Sequence, residues 1–164
     1  MSVSTTDTLS SLMGRSLASQ YDRVRRKVHD LVDPLSDEQL WLRPYPYGNS
    51  VGHLVLHLTG NLSYYIGAQI AGSGYVRDRP LEFADTSRRP KAEVLRDFDQ
   101  AVDMVLATLA AQREGDWASS FHGIGAEDVT DRLSMFLRCA SHQDHHAGQM
   151  IYLGKQVSLP TGLC

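Results

Sequence analysis

The chain has 164 residues, 42% hydrophobic and 21% charged, with a formal net charge of −3. This is the composition of one ordinary globular domain over residues 1–164, with enough apolar side chains for a sizeable core, and it excludes disordered and collagen-like classes. There is no basic surplus of the kind a general nucleic-acid binder carries and no run of about 18 apolar residues, so neither nucleic acid nor a membrane is expected as a partner.

The first predicted helix runs from Leu9 to Leu31. Leu9, Met13, Leu17, Tyr21, Val24, Val28 and Leu31 recur there at steps of three and four and form an apolar stripe. The clustered Arg23, Arg25, Arg26 and Lys27 read as its solvated face, and Pro34 ends it. Ser36-Asp37-Glu38-Gln39 fits a capping box and predicts a short helical turn carrying Leu40 and Trp41 inward. Pro44, Pro46 and Gly48 then break the chain. Asn49-Ser50 caps a second helix to about Ala71, apolar almost all round and expected to be the most buried. Gly52, Gly60 and Gly67 within it suit close approach of a neighbour. A loop is expected from Gly72 to Arg89. The third helix starts near Pro90 and continues to about Arg113, with a stripe from Val94 to Leu109. Gly115 to Ala126 reads as loop with a short extended piece around Trp117 to Phe121. The fourth helix is expected from about Val129 to Gly154, with Glu127, Asp128 and Asp131 suiting its dipole. Four such helices with modest links predict an all-α antiparallel four-helix bundle. Cys139 and Cys164, with no C-x-x-C pair, are expected as free thiols in a reducing cytoplasm, Cys164 as part of a mobile terminus, and the polar start Met1–Asp7 does not read as a signal peptide.

The chemistry concentrates in Ser141-His142-Gln143-Asp144-His145-His146-Ala147-Gly148-Gln149, which holds three of the seven histidines. His142 and His146 are four apart, one above the other on a helix face, so two neutral imidazoles can converge on one divalent ion. Met135, Cys139, His142, His146, Gln149 and Leu153 step by fours and threes, the spacing of a bundle-core seam, and buried imidazoles there need partners for their nitrogens. The third ligand must come from another helix. The second helix offers His53 and His57, again four apart, and the spacing lets either face the fourth helix. Three histidines and one open position is the pattern of a catalytic rather than a closed structural site. His145 lies one position off the seam. Asp144 is a candidate to orient an imidazole of a neighbouring turn. His29 and His122 read as ordinary surface or loop residues.

Ser141 to Gln149 resembles the H-x-x-x-H-x-G-Q signature late in the last helix of DinB-like proteins. Leu35-Ser36-Asp37-Glu38-Gln39-Leu40-Trp41-Leu42-Arg43-Pro44, followed by Asn49-Ser50-Val51-Gly52-His53-Leu54-Val55-Leu56-His57-Leu58, resembles the other recognisable block of that family. The resemblance covers nearly the whole chain in order and spacing. It implies the DinB-like up-down-down-up four-helix bundle, with the Gly72–Arg89 segment as the crossover. It places the family's metal triad on His57, His142 and His146 and leaves His53 as a pocket or supporting residue. It also implies a divalent ion (nickel, zinc, iron or manganese) and a homodimer. Characterised members include transferases and isomerases that use low-molecular-weight thiols.

The leading expectation is therefore a divalent-metal-dependent enzyme of the thiol-transferase type acting on a small electrophile. His53, Tyr64 and His145 are candidates to line the pocket or move protons, and Gln149 to bond across helices or to a ligand. The alternatives are a hydrolase working through an activated water, with His53 or Asp144 as base, and a non-enzymatic stress-response module in which the metal stabilises the bundle.

Overall fold

The structure, a computed structural model, describes residues 8–159; Met1–Asp7 and Cys164 lie outside the described residues. Its regular elements are helical: α1 (Leu9–Val32), α2 (Asp37–Trp41), α3 (Val51–Leu62), α4 (Arg79–Ala84), α5 (Lys91–Ala110) and α6 (Arg132–Val157).

Local chemistry starts most of them. Thr8, Ser50, Asp78 and Asp131 each accept a backbone N–H of the first turn of α1, α3, α4 and α6, satisfying donors that a helix start leaves unpaired. Both halves of the predicted capping box are made at α2, where Ser36 Oγ accepts from Gln39 N and Gln39 Oε1 from Ser36 N.

The four long helices bury a shared core in which Val28, Val32, Leu40, Leu58, Leu62, Ile66, Phe98 and Phe136 are fully enclosed. Each such side chain contributes about 1.5–3 kcal/mol of apolar burial. Side-chain contacts give the relative directions. Arg25 meets Asp103 and His29 meets Asp99, so α1 and α5 are antiparallel. Tyr21 bonds the Phe136 carbonyl and Lys27 lies 3.5 Å from Asp144, so α1 and α6 run the same way. Gln39, before α3, reaches the Val157 carbonyl, while Tyr65, after it, reaches the Ile124 carbonyl, so α3 opposes α6. Trp41 bonds the Arg89 carbonyl ahead of α5, and Gly67 packs against Met104, so α3 and α5 are parallel.

Several expectations need correction. The second helix does not continue regularly to Ala71: after Leu62 it widens into a π-helical turn over Ser63–Ala68. The Gly72–Arg89 segment is not all loop, because it contains α4, with Asp78 as cap and Pro80 in the first turn. The third helix stops at Ala110 rather than Arg113. The short extended piece expected around Trp117 to Phe121 is present but narrower, as an isolated antiparallel bridge from Ser120 to Asp131 after a 3-10 turn at Glu114–Asp116. The last helix starts at Arg132, because Asp131 is its cap, and reaches Val157. Its core seam also differs: Gln149 is exposed, while Phe136, Ala140, Gln143, Ala147 and Met150 are buried beside Met135 and Cys139. No described helix is long and apolar enough to cross a membrane.

Candidate metal centre and its cavity

α3 and α6 bring three imidazoles together. His57 Nε2 lies 3.2 Å from His142 Nε2, and His146 Nε2 lies 3.1 Å from the same atom. One nitrogen from each ring falls within 4.8 Å of the others, the only such His/Cys/Asp/Glu group among the described residues that could hold a metal ion. Two nitrogens bound tetrahedrally at about 2.0–2.1 Å from a common ion sit roughly 3.3–3.4 Å apart, close to the observed spacing.

Hydrogen bonds on the far sides of the rings set the tautomers. His57 Nδ1–H donates to Glu82 Oε2 at 2.7 Å, and His146 Nδ1–H donates to Gln149 Oε1 at 2.7 Å, so both rings offer Nε2 as a lone pair. His142 Nε2 can donate to one of these at most, and its buried Nδ1 has no partner among the described residues. Three nitrogens so arranged leave at least one lone pair facing another nitrogen, an unfavourable contact that a cation at the common point removes. Burial, reinforced by His146 and His57, pushes His142 down to about 3, and burial also lowers His146. Neutral rings are what metal ligation requires. The donor set thus fits a divalent ion.

Glu82, which sequence reasoning missed, supports the site from α4. It is buried between His57 and Arg77, whose Nε and Nη2 donate to it at 2.6 and 2.9 Å, with both side chains under 10% exposed. Burial pushes its carboxyl up, but the bonds from His57 and Arg77 outweigh that and hold it below the usual range. Such a carboxylate fixes the ring orientation of its histidine. Gly60 makes room for it, because a Cβ there would lie 2.1 Å from Glu82 Oε1. The legible signal was Asp78-Arg79-Pro80, a cap followed by proline, which marks a helix start inside the supposed loop.

His53, the other candidate on α3, is not part of the triad. Its Nε2–H donates to the Asp85 carbonyl at 2.9 Å, and its Nδ1 accepts from Ser50 Oγ at 2.6 Å. The ring also stands edge-on to Trp41 with centroids 5.3 Å apart. His145 is exposed and receives a 3.3 Å contact from Gln149 Nε2, so Gln149 links the two histidines and sits on the outside of α6. Asp144 bonds Gln20 and Arg23 of α1, both at 2.6 Å, and bonds no imidazole. His29 is half-buried and pairs with Asp99 of α5 at 2.9 Å.

His57 and His142 form part of the wall of a cavity of about 780 Å³, within the range of small-molecule sites. Tyr64 lies on the same cavity, brought there by the π-helical turn, with its hydroxyl accepting from Ile124 N at 3.3 Å. Cys139 also lines it, but burial pushes its thiol up to about 12, which makes it a packing residue rather than a nucleophile.

A sequence model of the DinB superfamily matches residues 20–150, and the chain belongs to that superfamily. No curated protein matches the chain. Among solved structures it is similar in fold to a conserved protein of Enterococcus faecalis, at 16% identity and a TM-score of 0.71 over 93% of this chain and 98% of that one. The all-helical architecture is that of the superfamily.

Proposed function

We propose that this chain is a divalent-metal-dependent enzyme of the thiol-transferase type, acting on a small electrophile. The observation that carries the reading is that His57 and His142, two of the three rings whose Nε2 atoms converge, line a cavity rather than lying inside sealed core. A closed structural site has no use for such an opening, whereas a catalytic one keeps a position for substrate. His57, His142 and His146 would hold the ion, while Glu82 and Gln149 aim two of the rings from behind. When bound, a divalent ion supplies a positive centre that lowers the pKa of an incoming thiol and stabilises it as thiolate. The overall transfer forms one S–C bond and breaks one bond from that carbon to its leaving group, with the thiol proton passing to solvent.

The cavity favours this over hydrolysis. Hydrolysis of the metalloprotease type pairs the ion with a carboxylate base that takes the water's proton, yet no carboxylate among the described residues lines the cavity, and Glu82 is already engaged by His57 and Arg77. The hydrolytic base candidates Asp144 and His53 are committed elsewhere. The pairwise helix directions also support the up-down-down-up order for the four long helices.

The test is cobalt substitution followed by titration with glutathione. The expected result is a new thiolate absorption and a shifted visible spectrum, together with conjugation of glutathione to 1-chloro-2,4-dinitrobenzene and release of chloride. A cobalt spectrum indifferent to thiol, with a large loss of thermal stability on chelation, would instead assign the ion a structural role.

A further inference from the structure

The cavity has a chemical character that the triad does not account for. Its charged lining consists of Arg77, Arg79 and Arg138, with no aspartate or glutamate, in a chain whose net charge is negative. The three cations differ in commitment. Arg77 is neutralised by its buried pair with Glu82. Arg138 bonds Asp128, a carboxylate 78% exposed, and such a surface pair is weak enough to exchange. Arg79 has no acidic partner among the described residues. Its guanidinium lies 5.7 Å over the Phe83 ring, which in turn packs on His57 with centroids 4.7 Å apart. Arg79 is therefore exposed, uncompensated and placed against the ring that touches the triad.

A second, independent observation lies one turn after His57. Asn61 is 5% exposed, lines the cavity, and its Oδ1 is buried with no hydrogen-bond partner among the described residues. A buried acceptor left unpaired is unfavourable, so a ligand N–H that reaches it gains affinity. The Tyr64 hydroxyl accepts from Ile124 N, and its own proton has no acceptor among the described residues.

We infer that the cavity binds a small organic anion, its carboxylate or phosphate held at Arg79 and its body presenting an N–H group to Asn61 Oδ1. Charge-assisted bonds to a guanidinium provide the anchor, and the amide oxygen selects among anions. This deepens the function proposed above and rests on it in one respect: the reacting end of the ligand lies at the triad.

The experiment uses calorimetric titration of the full chain, freed of metal, with N-acetyl-L-phenylalanine, its neutral carboxamide and phenyl phosphate. Both acids are expected to bind, the carboxamide at least roughly ten-fold more weakly than its acid, and Arg79→Gln to weaken both acids by about ten-fold. Asn61→Ala is expected to weaken N-acetyl-L-phenylalanine and leave phenyl phosphate, which has no N–H, unchanged. The stronger of the two acids tells whether a carboxylate or a phosphate is the better fit. Equal affinity for acid and carboxamide, indifference to Arg79→Gln, or no binding of either acid at about 10 mM overturns the inference. Arg79 is exposed, so its variant tests the idea without threatening the fold. A parallel zinc titration keeps the two proposals separate: anion binding without zinc binding removes the metal reading alone, and zinc binding without anion binding removes this one alone.

Discussion

His53 and His57 stand one turn apart on α3, each 4% exposed. Composition, helix face and burial do not separate them. What separates them is what remains unsatisfied. His53 has a protein partner for each ring nitrogen, Ser50 on one side and the Asp85 carbonyl on the other. His57 has Glu82 behind it and, in front, only two more imidazoles. The first is a bracket between the start of α3 and the end of α4. The second keeps a lone pair for something the polypeptide does not supply.

The sharpest way to break this comparison is to delete each ring. His57→Ala, like His142→Ala and His146→Ala, is expected to abolish stoichiometric binding of a divalent ion in elemental analysis, whereas His53→Ala keeps about one ion per folded chain. Full metal content in His142→Ala would remove the triad from consideration. Next in size is the support behind His57: Glu82→Gln should weaken zinc affinity about 10–100-fold by competition with a chelating dye. The cost of His53→Ala should appear in stability instead, about 2–4 kcal/mol in urea denaturation, because it empties a buried ring site and strips partners from Ser50 and Asp85. The smallest effect is on pH dependence. The unfolded chain takes up a proton at His142 from about pH 6.5 downward, while the folded chain, with that ring held at about 3, does not. The metal-free protein must therefore lose stability as pH falls through that window. Denaturation at pH 7 and pH 4.5 should show a larger loss for the wild type than for His142→Leu, and equal losses would contradict the assignment.

The sequence made some of this visible and hid the rest for physical reasons. The Ser36–Gln39 capping box and the His142–His146 pair are local, set by neighbours within four residues, and both appear as expected. The choice between His53 and His57 depends on α4, which is remote in sequence. Spacing alone leaves that choice open, and only the superfamily resemblance pointed to His57. Glu82 was hidden because its helix has six residues, too few to show a period. The π-helical turn that brings Tyr64 to the cavity leaves no periodic trace, since one widened turn shifts the register without changing residue types. Asp144 looked like a support for a histidine of a neighbouring turn and proved to be a tether to α1, because a reading along one helix is blind to what a neighbouring helix offers.

The tight fit of Gly60 under Glu82 bears on how this protein can change over time. The carboxylate cannot swing away from an incoming methyl group without leaving both Arg77 and His57. Positions 60 and 82 therefore form a single heritable unit. A lineage that keeps the glutamate is confined to glycine at 60, and one that first loses the glutamate is free to fill that space. Relatives with a side chain at 60 should be those whose first histidine is held in some other way.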